Sequence, residues 1–160
     1  VGRHPVEAAT YMVRIAAEVE RPLRARGFQE PPQSARPSDA EIVASAAYRA
    51  GRDAGVAAIV VFTASGSSAR LISRFRPHEP VFAICPRESV ARRLAVQYGV
   101  TPILAPDVAS TDEMLLLSDR LLVERGYLRL GESVVFVAGQ PIGRPGTTNL
   151  MKLHRIGELR

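Results

Sequence analysis

Residues 57–71, AAIVVFTASGSSARL, decide how the rest of the chain is interpreted. Residues 57–62 are an apolar run, rich in β-branched side chains and too short for a helix, so we predict a buried strand. A polar turn follows at 63–68, and a helix is predicted to begin near Ser67. Such a turn directs backbone N–H groups at one place, which suits a phosphate. The alternative is an ordinary strand-to-helix turn with a serine N-cap.

The composition is typical of a single globular domain. The chain has 160 residues, of which 46% are apolar and 23% charged, enough for a sizeable core. No apolar run approaches the roughly 20 residues of a membrane helix, and no secretory signal is visible, so we predict no membrane partner. The single cysteine, Cys85, cannot form an internal disulfide, which favours a cytoplasmic location.

The net charge of +5 does not form a nucleic-acid-binding pattern. Lys152 is the one lysine among 21 basic residues, the arginines are scattered, and only 6% of residues are aromatic. We therefore predict no nucleic-acid partner and attribute the arginines to a GC-rich genome. The sequence begins with Val1 rather than methionine, and we expect it to be a piece of a longer protein.

Hydrophobic spacing predicts helices and strands in alternation. The predicted helices cover 1–20, 38–55, 67–75, 88–98 and 110–126, and the predicted strands cover 57–62, 81–85, 101–105, 133–138 and 150–156. Capping boxes are predicted for Ser38 with Glu41 and for Ser110 with Glu113. Four prolines and no periodicity between residues 21 and 37 predict a linker.

Strands separated by helices predict a parallel sheet covered on both faces, a three-layer α/β/α arrangement. The eleven-residue link at 139–149 is too short for a helical crossover, so the last strand is predicted to run antiparallel at an edge. An edge strand with open N–H and C=O groups is a natural dimer seam.

The link at 139–149 is the second candidate binding element. Its three glycines and two prolines indicate a shaped loop, with Arg144 as a cation and Gly146, Thr147 and Thr148 as donors. If the first and fourth strands are neighbours, both loops leave the same edge of the sheet, where open α/β sheets bind ligands. Together they indicate a pocket for a phosphorylated metabolite. The alternative is a loop that only connects two strands.

The residues themselves indicate no catalytic machinery. The three histidines lie far apart without metal-ligand spacing, and no serine stands in a nucleophile elbow. Neither a Walker motif nor G-x-G-x-x-G is present. Asp107, Asp112 and Glu113 are interpreted as loop and helix-cap charges. We predict no catalytic residue and no metal ligand.

Three segments resemble the C-terminal domain of pyruvate kinase, in the style of the bacterial enzymes. GRHPVEA at 2–8 resembles the segment that enters the last helix of the family's catalytic barrel. TASGSSARLISRFRP at 63–77 resembles the family's effector phosphate loop with its following helix. VVFVAGQPIGRPGTTNLMKLHRIGE at 134–158 resembles its closing strand, effector loop and last strand. The resemblance covers nearly the whole chain.

The resemblance implies a mixed five-stranded sheet between helices, in the order 3-2-1-4-5 with the last strand antiparallel. Residues 1–20 would be the terminal helix of the preceding barrel, 21–37 a linker, and 38–160 the regulatory domain. The parent would transfer phosphate from phosphoenolpyruvate to ADP in glycolysis, with Mg²⁺ or Mn²⁺ and K⁺ bound in other domains. The parent would be a cytoplasmic homotetramer, and this segment alone would need no cofactor and be inactive.

The resemblance also implies the residues of an effector site. The effector phosphate would bind Thr63, Ala64, Ser65, Gly66, Ser67 and Ser68. The effector loop would close over the rest through Gly143, Arg144, Gly146 and Thr147.

Two departures from the family pattern favour a monophosphate such as AMP, ribose 5-phosphate or glucose 6-phosphate. Many relatives have a basic residue where this chain has Ser67. Met114 falls near the arginine expected to hold a second phosphate, and the chain has no tryptophan. The alternatives are a structural assembly module without a ligand and a free-standing enzyme on the same fold.

Overall fold

The computed structural model describes residues 2–26, 30–32, 34–144 and 146–159. The chain divides into two compact units, Val1–Glu30 and Pro31–Arg160. No helix in the described ranges is long and apolar enough to cross a membrane.

The first unit contains helix α1 (Pro5–Arg26). It continues past residue 20, where we predicted a linker to begin, and Pro22 lies inside it. A proline inside a helix weakens it without forbidding it, so proline content alone misplaced this boundary. The linker predicted at 21–37 also includes residues 27–29 and 33, which lie outside the described residues. The assignment of residues 1–20 to a preceding barrel stays a prediction.

The second unit contains the strands and helices predicted from the spacing of apolar residues, with ends that agree or differ by at most four residues. They are α2 (Asp39–Ala54), β1 (Ala58–Phe62), α3 (Ser67–Ser73), β2 (Val81–Cys85), α4 (Glu88–Leu94), β3 (Val100–Leu104), α5 (Thr111–Glu124), β4 (Ser133–Gly139) and β5 (Thr148–Arg155).

The five strands form one mixed sheet in the order β3-β2-β1-β4-β5. β1 is central and pairs in parallel with both β2 and β4, so Val60 lies beside Phe82 on one side and Phe136 on the other. β5 runs antiparallel to β4 and forms an edge of the sheet. The predicted fold class, strand order and direction of the last strand are confirmed.

Each face of the sheet is covered by helices, which gives two cores. Ile59 and Val61 of β1 pack with residues of α2, α3 and α4 on one face. Ala58, Val60 and Phe62 pack with residues of α5 on the other. Every residue of β1 is therefore buried, which explains why this strand is an unbroken apolar run rather than an alternating one. Each fully buried valine or isoleucine contributes about 1.5–3 kcal/mol.

The two predicted capping boxes differ in outcome. At α2 the box is complete, because Ser38 N donates to Glu41 Oε2 over 2.9 Å and Glu41 N donates to Ser38 Oγ over 3.4 Å. The backbone bond from Ser38 lowers the pKa of the Glu41 carboxyl. At α5, Glu113 N donates to Ser110 Oγ as predicted, but the Glu113 carboxylate accepts from Ala109 N at 2.8 Å. The second box was therefore only half right.

Candidate functional site

An open cleft lies at the carboxyl ends of the parallel strands. Because β1 and β4 are parallel neighbours, the loops that follow them leave the sheet side by side. Both loops line the cleft, and so does the segment after β3. Ser65 and Arg144, one from each predicted binding loop, lie on this same cleft.

Most of the residues predicted to hold an effector line this cleft. From the loop after β1 they are Thr63, Ala64, Ser65, Ser67 and Ser68. From the loop after β4 they are Gly143, Arg144, Gly146 and Thr147. Pro145, in the same loop, lies outside the described residues.

Gly66 is the predicted residue that does not line the cleft. It is the N-cap of α3, with φ +85°, and no side chain caps this helix. A Cβ at this position would lie 3.2–3.3 Å from side-chain atoms of Leu94 and Val90. Gly66 therefore shapes the turn through its backbone, and the alternative of a serine N-cap is wrong.

Hydroxyl groups organise the turn after β1. Gly66 N donates to Thr63 Oγ1 over 2.9 Å, which closes the turn from inside. Ser65 Oγ and Ser67 Oγ lie 3.0 Å apart, and both side chains are half-buried. Arg87, which does not line the cleft, donates from Nη2 to the backbone oxygen of Ala64. The turn is thus held by fixed contacts, while two hydroxyls that bond each other can exchange that bond for a ligand.

One buried hydrogen bond joins the two binding loops. Ser68 Oγ bonds Thr148 Oγ1, and the two residues are only 4% and 3% exposed. Thr148 is also the first residue of edge strand β5. The bond ties the start of α3 to the start of β5 beneath the cleft.

The loop after β4 is braced at its base. Gln140 N donates to Asn149 Oδ1 over 2.9 Å, and Asn149 Nδ2 donates to Gln140 O over 2.8 Å. Gln140 Nε2 also donates to Thr111 Oγ1 at the start of α5. A Cβ on Gly139 would approach Thr147 to 2.7 Å, so only glycine allows this close passage. These contacts agree with the shaped loop that its glycines and prolines predicted.

Arg144 is the one cation and Asp107 the one anion among the described residues that line the cleft. Both are exposed, and in the described part of the chain neither side chain forms an ion pair or hydrogen bond. The cleft thus offers a positive group and a negative group that protein contacts leave available.

Sequence reasoning missed part of the lining. Asp107 was interpreted as a simple loop charge, yet it lines the cleft together with Pro86, Pro106 and Val108. A signal existed for three of these, because 106–108 follow β3 and the carboxyl ends of parallel strands share one edge. Met114, which falls near the position where the family resemblance implied an arginine for a second phosphate, also lines the cleft and is buried.

A buried cluster lies at the other end of β5. His154 Nε2 is 2.8 Å from Asp119 Oδ1, and His154 Nδ1 is 2.9 Å from Glu158 Oε1. Lys152 Nζ donates to Glu158 Oε1 over 2.6 Å, and Gly157 N donates to Asp119 Oδ2 over 2.7 Å. The bond from Lys152, followed by that from His154, lowers the pKa of Glu158 to about 2. None of these residues lines the cleft.

Comparison with known proteins gives one consistent family. The model of the pyruvate kinase alpha/beta domain matches residues 41–154. The chain is 37% identical over 153 residues to pyruvate kinase of Clostridium acetobutylicum, covering 95% of this chain and 32% of that protein. It is 36% identical over 159 residues to pyruvate kinase of Geobacillus stearothermophilus, covering 99% of this chain and 27% of that protein.

A third relative, pyruvate kinase of Lactobacillus delbrueckii subsp. bulgaricus, is 35% identical over 162 residues, covering 98% of this chain and 27% of that protein. The chain thus spans less than a third of the length of these relatives. The family match extends from α2 to the end of β5, which is nearly all of the sheet-containing unit. The chain therefore belongs to the pyruvate kinase family, in which it corresponds to the C-terminal alpha/beta domain.

Proposed function

We propose that this domain regulates a pyruvate kinase by binding a phosphorylated effector in the cleft between residues 63–68 and 139–148. The observation that carries the proposal is the meeting of two loops with hydroxyl donors at one cleft, beside an available guanidinium at Arg144. The family of the chain supports it, because the matched relatives are named pyruvate kinases. A small-molecule cleft that combines a few convergent polar groups with apolar walls is the usual form of a ligand site.

Hydroxyl and guanidinium groups supply the chemistry of phosphate binding. Ser65 and Ser67 now bond each other, and each can turn its O–H to a phosphate oxygen. Arg144 can donate two parallel N–H bonds to a phosphate, the strong geometry for this pair. Hydrogen bonds to charged groups contribute about 1.5–3 kcal/mol each. Because α3 has only seven residues, the proposal rests on these side chains rather than on a helix dipole.

The domain acts on a reaction that other parts of the enzyme carry out. We propose that the complete protein transfers phosphate from phosphoenolpyruvate to ADP in the cytoplasm, using Mg²⁺ or Mn²⁺ and K⁺. The residues described here do not fit those metals, since no group of three or more His, Cys, Asp or Glu side chains is placed to hold an ion. The isolated domain is therefore expected to bind its effector and to transfer no phosphate.

The edge strand supports a second role in assembly. Within the described part of the chain β5 pairs with β4 alone, and its side chains Met151 and Leu153 are exposed. An open strand edge with apolar neighbours favours pairing with another strand. We propose that two copies of the domain meet along β5 as one interface of a homotetramer.

Ligand-dependent thermal unfolding tests the regulatory role. The 160-residue chain is heated with AMP, glucose 6-phosphate or ribose 5-phosphate, with adenosine and glucose as controls that lack phosphate. An effector at 100 times its dissociation constant should stabilise the domain by about 2.7 kcal/mol. Arg144→Gln should abolish most of that gain, whereas Arg120→Gln, an exposed residue outside the cleft, should keep it.

Light scattering on the same samples separates the remaining alternatives. Oligomers without any response to a phosphate compound would contradict the regulatory role and leave a structural assembly module. Phosphate transfer from phosphoenolpyruvate to ADP by the isolated chain would instead indicate a free-standing enzyme.

A further inference from the structure

The imidazole ring of His154 lies between two carboxylates from different elements. Its side chain is 1% exposed, Nε2 is 2.8 Å from Asp119 Oδ1, and Nδ1 is 2.9 Å from Glu158 Oε1. Asp119 belongs to α5, and Glu158 lies in the turn after β5. On the neighbouring strand β4 the register partner of His154 is Val134, which is apolar. The two carboxylates are therefore the charged groups in direct contact with the ring.

The other charged groups nearby act on the ring through these carboxylates or from solvent. Lys152, on β5 itself, donates to the same Glu158 oxygen that the ring contacts. Arg120 and Glu124 of α5 border a small cavity together with Asp119, and both are exposed. Because water screens exposed charges, the state of the ring depends mainly on its two carboxylate partners.

Two carboxylate contacts require two N–H groups on the ring. The bonds from Lys152 and then from His154 hold the pKa of the Glu158 carboxyl at about 2, so this carboxyl is ionised at neutral pH. An ionised carboxylate only accepts hydrogen bonds, and a neutral imidazole has a single N–H. The imidazolium form satisfies both contacts, whereas the neutral form turns a lone pair towards one of the carboxylate oxygens. One contact is therefore lost when the ring gives up its second proton.

Burial and bonding decide which of the two contacts is lost. The Asp119 side chain is 10% exposed, and its second oxygen accepts the Gly157 N–H over 2.7 Å. The Glu158 side chain is 35% exposed, and Lys152, at 40%, can move with it. A carboxylate near water is solvated when it loses a bond, but a buried one is not. The neutral ring therefore keeps its N–H on Nε2, towards Asp119.

We propose that His154 is a pH-sensitive latch at the end of strand β5. The proton on Nδ1 holds Glu158 in place, and Glu158 Oε2 in turn accepts the backbone N–H of Arg155 over 3.1 Å. Loss of that proton releases the Glu158 side chain and the Arg155 N–H, while the bond from Nε2 to Asp119 stays. The latch does not depend on the effector cleft, since none of these residues lines it.

Nuclear magnetic resonance of the full 160-residue chain tests the latch over roughly pH 5–9, which brackets the ordinary titration of histidine. The ring ¹⁵N shifts report the protonation state and tautomer of His154, with the exposed His78 as a reference. Amide hydrogen exchange, expressed as a protection factor, reports the backbone N–H groups. When the His154 ring becomes neutral, we expect its proton on Nε2 and a fall of about tenfold in the protection of Arg155 N–H, as for the loss of one hydrogen bond. Gly157 N–H, which bonds Asp119, should keep its protection.

Two variants isolate the carboxylate of Glu158. In Glu158→Gln the side-chain amide can donate to the Nδ1 lone pair of the neutral ring, so the protection of Arg155 N–H should no longer fall when the ring loses its proton. Glu124→Gln removes the same charge from an exposed position on α5 that borders a cavity with Asp119. This variant should retain the fall seen in the parent chain.

Several results would contradict the latch. A neutral ring with its proton on Nδ1 would mean that Glu158 is not the partner released. Constant protection of Arg155 N–H while the ring titrates, or an equal fall in Glu158→Gln, would show that the Glu158 contact does not depend on the proton. An equal fall at Gly157 N–H would indicate fraying of the whole strand end. A ring that keeps one protonation state over the whole pH range would exclude a switch.

Discussion

The two ends of strand β5 hold their polar groups in opposite ways. At its start, beside the cleft, the Thr148 hydroxyl bonds Ser68, while Arg144 and Asp107 on the same cleft have no ion pair within the described residues. At its end, the buried His154 ring lies between two carboxylates, with one nitrogen facing each. The polar groups at the end of β5 have protein partners and serve the fold. Those on the cleft at its start have no ion-pair partner within the described residues, and a ligand would supply one.

This difference follows from the cost of burying charge. A buried charge without a partner is strongly destabilising, so a cluster that only maintains the fold must satisfy each of its groups. An exposed charge costs little, because water solvates it. The unpaired Arg144 and Asp107 are therefore tolerable only because the cleft is open, and they are the groups that a ligand can engage.

The largest expected loss of stability comes from disrupting the buried cluster around His154 at the end of β5. In His154→Leu, the Asp119 carboxylate, which is 10% exposed at its side chain, loses its ring partner and keeps, among the described residues, the bond from Gly157 N. Removing one member of a buried pair costs about 3–5 kcal/mol. Urea unfolding should show this loss as a lower midpoint.

The double variant His154→Leu with Asp119→Leu gives the matched control for that prediction. Removing both partners leaves no buried charge uncompensated, so the double variant should lose less than the sum of the two single ones. A single-variant loss below about 1 kcal/mol would show that the cluster is not the stabilising contact that its burial indicates.

A smaller loss of stability is expected from a change in the turn after β1, which borders the cleft. Gly66→Ala forces a Cβ into a residue with φ +85° and brings it to 3.2–3.3 Å from Leu94 and Val90. The left-handed backbone alone costs about 1–2 kcal/mol for a residue with a Cβ, and the close contact adds to it. We expect a loss of about 2 kcal/mol, with weaker AMP binding because the turn that carries Ser65 and Ser67 must shift.

Gly99→Ala is the control for Gly66→Ala. Gly99 also has a positive φ, +67°, but a Cβ there would meet nothing within 4 Å. It should therefore cost only the backbone strain of about 1 kcal/mol and leave AMP binding unchanged. Equal losses of stability in Gly66→Ala and Gly99→Ala would mean that the close approach of residue 66 to α4 does not contribute to the cost.

Local patterns in the sequence were enough to predict the strands and helices, whereas the strand order that makes β1 and β4 neighbours came from the resemblance to the C-terminal domain of pyruvate kinase. The strand β1 is an apolar run because both of its faces are buried, and such a run is visible without a structure. The capping box of Ser38 and Glu41 is complete within four residues. Once β1 and β4 are neighbours, the meeting of Ser65 and Arg144 at one cleft follows, because neighbouring parallel strands end at one edge of the sheet.

What sequence reasoning missed depends on contacts between distant residues. His154 and Asp119 are 35 positions apart, and no local spacing indicates their bond. Asp107 lines the cleft from the segment after β3, which ends at the same edge of the sheet, but the prediction considered only the loops after β1 and β4. The helix end at Arg26 was missed because proline changes the cost of a helix without forbidding it.

The contribution of the cluster at the end of β5 to stability should depend on pH through the Glu158 carboxyl. Glu158 has a pKa lowered from 4.5 to about 2 in the folded chain, chiefly by the bond from Lys152 and then by that from His154. A carboxyl whose pKa is lower when folded stabilises the fold above its unfolded pKa, and this contribution disappears as pH falls through the folded value. The parent chain should therefore be more stable than Glu158→Gln above pH 4.5, and the difference should shrink between pH 4.5 and 2.

Lys152→Met tests the cause assigned to this behaviour. Without the ammonium group that bonds Glu158 Oε1, the pKa of Glu158 should move back towards its ordinary value, so stability should begin to fall at a higher pH than in the parent chain. The effect is expected to be the smallest of the three, since the Glu158 side chain is 35% exposed and water screens its charge. If the difference between the parent and Glu158→Gln were instead constant from pH 2 to 6, the bonds of Glu158 would be independent of its charge. The two ends of β5 would then differ in the geometry of their hydrogen bonds and not in how their charges are paired.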